Sequence, residues 1–220
     1  MPIYNGVEFI QESVPSILQQ KVEEWELFIG INGHPPNSTV YKTVANYLAT
    51  LKDDRIHLVD FPDCKGKSAT LNKMVPLCQY PYIALLDVDD IWLPGKLAAQ
   101  LPWCGIYDVI GTKCIYFGDL NNIVPATPSG DISAFNFLQV NPVINSSALI
   151  RKELAVWNSK WDGVEDYNLW LCLWKEGRRF YNDAGVYVKH RIHQSSAFNA
   201  KGNNDQAERL RREVPHRTPH

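Results

Sequence analysis

The chain has 220 residues, 45% of them hydrophobic, and a formal net charge of -2 at pH 7. This length and apolar content can bury a sizeable core as one domain, with or without a small appendage, and they argue against a disordered chain. The balanced charge gives no electrostatic reason to expect nucleic acid or a membrane surface as a partner.

Strand and helix patterns alternate through the first 90 residues. After a short extended piece that turns at Asn5-Gly6, apolar residues at helical spacing predict helices over residues 7–20, 38–51 and 69–77, the second capped by Asn37 or Ser38. Apolar runs predict strands over residues 25–31, 56–61 and 82–86. This alternation indicates an α/β fold with a mostly parallel central sheet that helices flank on both faces.

The pattern loosens beyond Asp90. Trp92 and Pro94 are expected to open a short helix that ends near residue 101. The remaining predictions are a strand at 108–117, a polar loop at 118–130, a loop running into a strand at 141–150, a helix at 166–176, a strand at 184–188 and a polar tail at 201–220. The tail is predicted to be a helix followed by disorder.

Cysteine usage and hydropathy suggest a compartment. The five cysteines form no Cys-x-x-Cys pair and their number is odd, so neither a zinc knuckle nor a complete disulfide framework is indicated. No apolar run approaches the roughly 20 residues that a bilayer span needs, and no signal segment begins the chain. We therefore expect a cytoplasmic protein without a transmembrane segment.

Three carboxylates follow the apolar run at 82–86 within four residues: Asp87, Asp89 and Asp90. Acids at a strand end can simply fill a turn or cap the next helix. However, close carboxylates repel one another unless a cation lies between them, and open α/β sheets bind ligands at this edge. The cluster therefore predicts a divalent metal site.

Short motifs in a fixed order carry a family resemblance. They are Pro2-x-Tyr4-Asn5, Gly66-Lys67 with Leu71-Asn72, Leu86-Asp87-x-Asp89-Asp90-x-Trp92-x-Pro94, Asn145-Ser146-Ser147, Glu165-Asp166-Tyr167-x-Leu169-Trp170 and Arg191-x-His193. Together they resemble the family 2 glycosyltransferases, which have the GT-A fold. The resemblance implies one GT-A domain over residues 1–200, with a nucleotide-binding part at 1–90 and an acceptor-binding part at 91–200.

The resemblance also implies an activity. It is the transfer of a sugar, with inversion, from a nucleoside diphosphate donor to a hydroxyl of a glycan or glycoconjugate. The resemblance weakly favours a UDP-linked donor. A Mn²⁺ or Mg²⁺ ion would be held through the Asp-x-Asp motif. Asp89 is then the expected metal ligand, Asp87 a second ligand or a ribose contact, and Val88 a donor contact. Asp90 either ligates the metal or positions the loop.

Two further polar elements gain roles from the resemblance. Asp166 becomes the preferred general base, with Glu165 as its substitute or an acceptor-binding group, although acids in a first helical turn are common without any catalytic role. His193 becomes a metal ligand or diphosphate contact, since imidazole suits such cations. The neighbouring His190 could be taken for it, and a merely hydrogen-bonded histidine is the alternative.

The remaining donor contacts are expected on the amino-terminal half. Lys67 would contact the donor diphosphate or base, together with Asn72, although a solvated turn is the alternative for the Lys65-Gly66-Lys67 segment. Pro2 and Tyr4 would line the base pocket, and core packing is the alternative for Tyr4.

Two departures from the family pattern are visible. Asn32 closes the second predicted strand where the family usually has acidic residues, so that it would replace a carboxylate in reading the base. Met1 stands directly before Pro2, where a longer apolar first strand would run. Among the tryptophans, Trp92 is expected to shape the pocket and Trp161 to form an acceptor platform, while Trp170 and Trp174 should be core residues.

Two other functions use similar features. A sugar-nucleotide nucleotidyltransferase also needs metal-binding carboxylates, but the glycine-rich, arginine-bearing loop expected near its amino terminus is not found. A non-catalytic module that binds a nucleotide-sugar or glycan could retain the site as a relic, and the presence of both Asp89 and Asp166 argues against it.

Overall fold

Two sheets and six helices make up the computed structural model, which describes residues 1–193 and 203–213. The strands are β1 Pro2–Ile3, β2 Leu27–Asn32, β3 Ile56–Phe61, β4 Tyr82–Ala84, β5 Ile91–Trp92, β6 Val109–Gly118, β7 Gly130–Asp131, β8 Leu149–Arg151 and β9 Phe180–Ile192. The helices are α1 Ile10–Leu18, α2 Thr39–Leu51, α3 Lys67–Met74, α4 Lys96–Gln100, α5 Glu165–Lys175 and α6 Asn203–Glu213.

The first sheet is parallel, as the alternating pattern predicts. Its order is β1-β2-β3, and β2 pairs with β3 along its whole length, from Leu27 opposite Ile56 to Asn32 opposite Phe61. Helix α2 begins after Ser38, whose hydroxyl accepts a hydrogen bond from the Tyr41 amide at 3.2 Å. This confirms one of the two expected caps.

The second sheet is mixed, so the expectation of a mostly parallel sheet is wrong for this half of the molecule. Its order is β4-β8-β6-β9-β5, with β7 added beside β9. Only β6 and β9 pair in parallel, while β8, β5 and β7 all pair antiparallel to their neighbours. Beyond Asp90 these short strands return directly to the sheet instead of crossing over through long helices, which parallel pairing would require.

Trp92 belongs to a strand and not to the start of a helix. It pairs with Val188 of β9, its backbone amide donates to the Ser16 hydroxyl at 3.1 Å, and its ring Nε1 donates to the Ser146 carbonyl at 2.7 Å. The side chain is 4% exposed. Trp92 is therefore a core residue, and the expected pocket-shaping role is wrong.

Two main hydrophobic clusters form the core. One surrounds β1, β2 and α1, with Ile3, Ile29 and Val14 fully buried. The other surrounds α5, where Trp170 is fully buried and Trp174 is 6% exposed, as expected for core residues. Trp161 also lies in the second cluster at 6% exposure. Because so little of its ring is open, it does not form the expected acceptor platform.

Helix α6 packs against the domain. Leu210 is fully buried in the cluster around α5, and Arg211 donates to the Tyr167 hydroxyl at 3.0 Å. The helix predicted in the polar tail is thus present, while the predicted disorder after it falls outside the described residues. None of the helices within residues 1–193 and 203–213 is long and apolar enough to cross a membrane.

Candidate active site

A cleft of about 940 Å³ with both polar and apolar lining opens at the carboxyl ends of β1 and β2 and beside the chain that follows β4. Eight residues that the sequence singles out line it: Pro2, Tyr4, Asn32, Lys67, Asp87, Val88, Asp89 and His193. The rest of its lining comes from Asn5, Gly6, Val7, Glu8, Phe9, Gly33, Val40, Lys65 and Gly66. The remaining predicted site residues, Asn72, Glu165 and Asp166, do not line this cleft.

The turn after β4 delivers the carboxylates to the cleft. The Asp90 amide closes this turn by donating to the Asp87 carbonyl at 3.1 Å. A segment far along the chain holds Asp87: its amide donates to the Ser146 hydroxyl at 3.0 Å, and Asn145 donates to its carboxylate at 2.9 Å. The Asn145-Ser146-Ser147 motif, which had no assigned role, is therefore a support for the acid cluster.

Lys67 bridges two acidic groups. Its Nζ atom lies 2.6 Å from an oxygen of Asp87 and 3.1 Å from an oxygen of Glu165. Burial alone would raise the pKa of Asp87, but the charge and hydrogen bond of Lys67 and the amide of Asn145 outweigh it, so the pKa is lowered. Burial likewise opposes the charge on Lys67, yet Asp87 and Glu165 raise its pKa above the ordinary value. Asp87 and Lys67 are therefore both charged at neutral pH.

Asp89 and His193 meet at the edge of the cleft. His193 Nε2 lies 3.0 Å from Asp89 Oδ2, and each side chain is 24% exposed. Burial and the nearby charges of Asp90 and Asp87 raise the pKa of Asp89. A cation would relieve this crowding of negative charge.

The residues at this edge fit a divalent cation that the substrate helps to bind. Mg²⁺ in phosphate-transfer sites is commonly held by one or two carboxylates with substrate phosphates, and imidazole also suits Mn²⁺. In the described part of the chain, no group of three or more His, Cys, Asp or Glu side chains could hold a metal ion. Asp89 and His193 therefore offer an incomplete set of ligands, which phosphate oxygens would have to complete.

Asp90 does not face the cleft. Its side chain is 1% exposed, and it accepts from the Arg191 amide at 2.8 Å and lies 3.0 Å from His190 Nδ1. Burial would lower the pKa of His190, but Asp90 raises it to about 9. Of the two roles open for Asp90, the structure supports the positioning one: it ties the acid turn to β9. His190 is committed to this contact, which leaves His193 as the histidine at the cleft.

Arg191 fixes the position of the Asp89 backbone. It donates to the Asp89 carbonyl at 2.9 Å, and its guanidinium lies between the rings of Phe9 and Phe117, 4.4 and 4.3 Å from their centroids. Phe9 also contacts the His193 ring, with centroids 5.5 Å apart. Phe9 falls within the helix predicted over residues 7–20, and nothing in its local pattern indicates that it supports the cleft.

Glu165 and Asp166 begin α5 behind Lys67. The Glu165 side chain is 8% exposed, and its second oxygen accepts from the Gly163 amide at 2.6 Å. Asp166 accepts from the Asn141 side chain at 3.0 Å. Burial first, and then the charge of Glu165, raise the pKa of Asp166 to about 6. Because both Glu165 oxygens are engaged, Asp166 is the better placed of the two to accept a proton.

Asn72 does not contact the cleft, and its expected role at the donor is wrong. Its amide nitrogen donates to the Trp157 carbonyl at 2.7 Å, and its amide oxygen accepts from the Trp157 backbone nitrogen at 2.8 Å. Both polar atoms of the side chain therefore form hydrogen bonds that join α3 to the segment before α5. The motif spacing indicated the correct helix but not the direction in which this side chain points.

Tyr4 lies open on the cleft. Its side chain is 55% exposed and stacks on His34, with centroids 5.0 Å apart and an interplanar angle of 24°. The core-packing alternative for Tyr4 is therefore excluded. Asn32 is 3% exposed and lies at the end of β2 in the cleft wall.

Gly66 allows Asp162 to approach the start of α3 closely, a contact that the sequence did not reveal. A Cβ atom at Gly66 would lie 1.8 Å from an oxygen of Asp162, and the residue has φ +90°. The other Asp162 oxygen accepts from the Ser68 amide at 3.1 Å, which satisfies one of the free N–H groups at the start of α3. Asp162 thereby joins the Lys67 turn to the start of α5.

Comparison with known proteins identifies the family. Residues 1–154 match the sequence model described as Glycosyl transferase family 2. The chain belongs to this family. It is thus an enzyme of the glycosyltransferase type.

Curated relatives of this glycosyltransferase span most of its length. It is 27% identical over 208 residues to the Escherichia coli UDP-Glc:alpha-D-GlcNAc-diphosphoundecaprenol beta-1,3-glucosyltransferase WfgD. The aligned region covers 89% of this chain and 77% of WfgD. It is 30% identical over 206 residues to an uncharacterized glycosyltransferase of Haemophilus influenzae, covering 90% of this chain and 76% of the relative.

Solved structures confirm the GT-A fold. S. aureus TarS 1-349 in complex with UDP superposes with a TM-score of 0.69 at 13% identity, covering 96% of this chain and 62% of TarS. The mannosyltransferase PcManGT of Pyrobaculum calidifontis, in complex with GDP-Man and Mn2+, gives 0.67 at 16% identity, covering 89% of this chain and 56% of its own. The glycosyltransferase thus spans less than two thirds of either solved chain.

Proposed function

We propose that this enzyme transfers a sugar from a nucleoside diphosphate donor, UDP-linked, to a hydroxyl of a glycan or glycoconjugate, with inversion and with Mn²⁺ or Mg²⁺. The observation that carries the proposal is the convergence of Asp87, Asp89, Lys67 and His193 on one cleft. The names of similar proteins support the donor class: WfgD is named for a UDP-Glc donor, and TarS and PcManGT were solved with UDP and GDP-Man.

The donor would lie along the cleft from Tyr4 to Asp89. The exposed ring of Tyr4 offers a stacking face for a base, and the Asn32 amide can both donate and accept hydrogen bonds. Asp87 and Val88 would contact the ribose side. The diphosphate would then lie near Lys67, Asp89 and His193.

Departure of the diphosphate requires stabilisation of its developing negative charge. Lys67 supplies a fixed positive charge in the cleft, since its partners keep it protonated. A divalent ion held by Asp89 and His193 would act as a Lewis acid toward the phosphate oxygens. Asp90 and Arg191 would hold the Asp89 turn in place throughout.

The acceptor hydroxyl would attack the anomeric carbon as the bond from that carbon to the diphosphate oxygen breaks. Asp166 would take the hydroxyl proton, since its pKa of about 6 leaves it mostly ionised at neutral pH and still basic enough to act. Glu165 would remain paired with Lys67 and position the start of α5.

The proposal is tested by donor turnover. The protein is incubated with Mn²⁺ and with UDP-, GDP- or dTDP-sugars, and released nucleoside diphosphate is measured. We expect release that depends on the metal and that falls at least about 100-fold in Asp89→Asn, the scale of removing one charge-stabilising group. Asp54→Asn, an exposed acid away from the cleft, is the matched control. Pyrophosphate release would indicate a nucleotidyltransferase instead, and binding without turnover would indicate a binding module.

A further inference from the structure

Helix α4 carries two polar residues that are completely buried, Lys96 and Gln100. The Lys96 Nζ atom donates a hydrogen bond to Gln100 Oε1 at 2.8 Å and lies 4.1 Å from the centre of the Trp92 ring. Lysine is almost never fully buried unless it is paired, and a buried polar group is costly without a hydrogen bond. Neither residue lines the donor cleft. Their burial therefore needs an explanation in what they hold.

The hydrogen bonds of Gln100 fix the orientation of its amide. Its Nε2 atom donates to the Ile110 carbonyl at 2.6 Å and to the Ser147 carbonyl at 2.8 Å. Because carbonyl oxygens only accept, the amide nitrogen must face them and the amide oxygen must face Lys96. Burial lowers the pKa of Lys96 well below its ordinary value, but a lysine amine donates whether or not it is protonated. Lys96 therefore holds the Gln100 amide as a hydrogen-bond donor and needs no charge to do so.

Gln100 and Trp92 hold neighbouring residues of one short turn. Gln100 donates to the Ser147 carbonyl, and Trp92 Nε1 donates to the Ser146 carbonyl at 2.7 Å. The turn, Asn145–Ser147, is a single 3₁₀ turn. Such turns are short and have poorer hydrogen-bond geometry than an α-helix. The orientation of this turn therefore depends on the two donors outside it.

The same turn presents its side chains to Asp87. Ser146 Oγ accepts from the Asp87 amide at 3.0 Å, and Asn145 Nδ2 donates to the Asp87 carboxylate at 2.9 Å. A continuous series of contacts thus leads from Lys96 through Gln100 and the turn to Asp87. If the turn rotated, Asp87 would lose both of these hydrogen bonds together.

Helix α4 is itself anchored to α1. Gln20, which follows α1 and is 6% exposed, accepts from the Leu97 amide at 3.2 Å through its Oε1 atom. Its Nε2 atom donates to the Leu93 carbonyl at 3.0 Å and to the Ser16 carbonyl at 3.1 Å. These contacts tie both the start of α4 and the residues before it to α1. Lys96 and Gln100 therefore project from a fixed support.

We propose that Lys96 and Gln100 are positioning residues of the donor site, which hold the Asn145–Ser147 turn in the orientation that fixes Asp87. Neither residue contacts the substrate, and each acts through the next. The inference rests on the proposed function only where donor binding is measured, because the contacts of Asp87 can also be followed without a ligand.

Two substitutions that nearly preserve side-chain size test the proposal. Gln100→Met removes the donor to the turn, and Lys96→Met removes the donor to Gln100. The dissociation constant of UDP with Mn²⁺ is measured by calorimetry for each variant, for the two together, and for each combined with Asp87→Ala. Hydrogen exchange of the Asp87 amide is measured without any ligand. Leu210→Ala, fully buried in the cluster around α5, controls for lost stability alone.

We expect Gln100→Met to weaken UDP binding about 5-fold or more, and Lys96→Met to act in the same direction. Adding Lys96→Met to Gln100→Met should weaken binding no further, since Lys96 acts through Gln100. In the Asp87→Ala background each substitution should change the affinity by less than about 2-fold, because the residue through which it acts is gone. The Asp87 amide should exchange about 10-fold faster in Gln100→Met and at the parent rate in Leu210→Ala.

Losses of UDP affinity that are equally large with and without Asp87 would overturn the proposal, because Lys96 and Gln100 would then stabilise only the fold. An Asp87 amide that exchanges at the parent rate in Gln100→Met would overturn it as well. The proposed function can fail separately: if the parent binds no nucleotide but the Asp87 amide still exchanges faster in Gln100→Met, the positioning of Asp87 stands and the donor assignment does not.

Discussion

At the scale of single residues, the proposed chemistry depends on the protonation of Asp166. Its pKa is raised to about 6, and a general base must be ionised to accept a proton. Transfer should therefore fall as pH drops through about 6 and should be level above it. Asp166→Asn should lower kcat by about 100-fold or more while donor binding by calorimetry stays unchanged. Near-normal turnover of this variant would remove Asp166 from the mechanism.

Asn141 is expected to tune this base. Its amide donates to Asp166 at 3.0 Å, which favours the ionised carboxylate and opposes the rise in pKa. Asn141→Ala should therefore move the acid limb of the rate profile to higher pH and lower kcat severalfold at pH 6. Asn136→Ala, an exposed loop residue with a local hydrogen bond, is the control. If the pH at which the rate falls is the same in Asn141→Ala and in the parent, Asn141 stabilises the fold without affecting the pKa of Asp166.

Lys67 should affect donor binding more than any other lysine. Lys67→Gln keeps much of the side chain but removes the charge between Asp87 and Glu165. Leaving two carboxylates unpaired in a half-buried site should weaken binding of UDP about 10-fold or more and destabilise the fold. Lys73→Gln lies on the same helix in an exposed position and should bind as the parent does. Equal affinities of the two variants would contradict the assignment.

At the scale of secondary-structure elements, local pattern predicted the first half of the fold well. Residues 56–61 form the predicted strand, and residues 39–51 form the helix that Ser38 caps. The short strands β5 and β7 have two residues each, so they cannot show the alternation of apolar and polar residues that predicts a strand. The contact of Lys67 with Glu165 joins residues that are distant along the chain. Sequence motifs therefore located the acid cluster, but not the direction of Asn72 or the support from Asn145.

The close approach of α3 to the segment before α5 is tested at Gly66. Gly66→Ala must hold a side chain at φ +90° and place its Cβ 1.8 Å from an Asp162 oxygen. We expect a loss of about 2–5 kcal/mol in the free energy of unfolding, from backbone strain and displacement of Asp162.

Gly105→Ala is the matched control for this variant. Gly105 has φ +83°, but a Cβ there meets nothing within 4 Å. Gly105→Ala should therefore lose only the free energy of unfolding that comes from backbone strain, about 1–2 kcal/mol. Urea unfolding of both variants separates the two contributions, and equal losses would show that the approach of Asp162 does not constrain this position.

At the scale of the whole molecule, the incomplete ligand set links metal and donor binding. Asp89 and His193 lie 3.0 Å apart, and the described residues include no group of three or more side chains that could hold an ion. Mn²⁺ alone should therefore raise Tm little, and UDP alone should leave the repulsion around Asp89 uncompensated. Each ligand should bind more tightly when the other is present, because thermodynamic coupling is reciprocal.

Thermal unfolding measures this coupling directly. With both ligands at about 100 times their dissociation constants, the folded state gains about 2.7 kcal/mol from each site, so Tm should rise by about 10–20 °C and by more than the sum of the separate shifts. Asp89→Asn should abolish the excess over additivity, whereas the exposed Asp54→Asn should keep it. A full shift with Mn²⁺ alone would mean that the protein holds the ion without the donor, and Asp89 and His193 would not be its principal ligands.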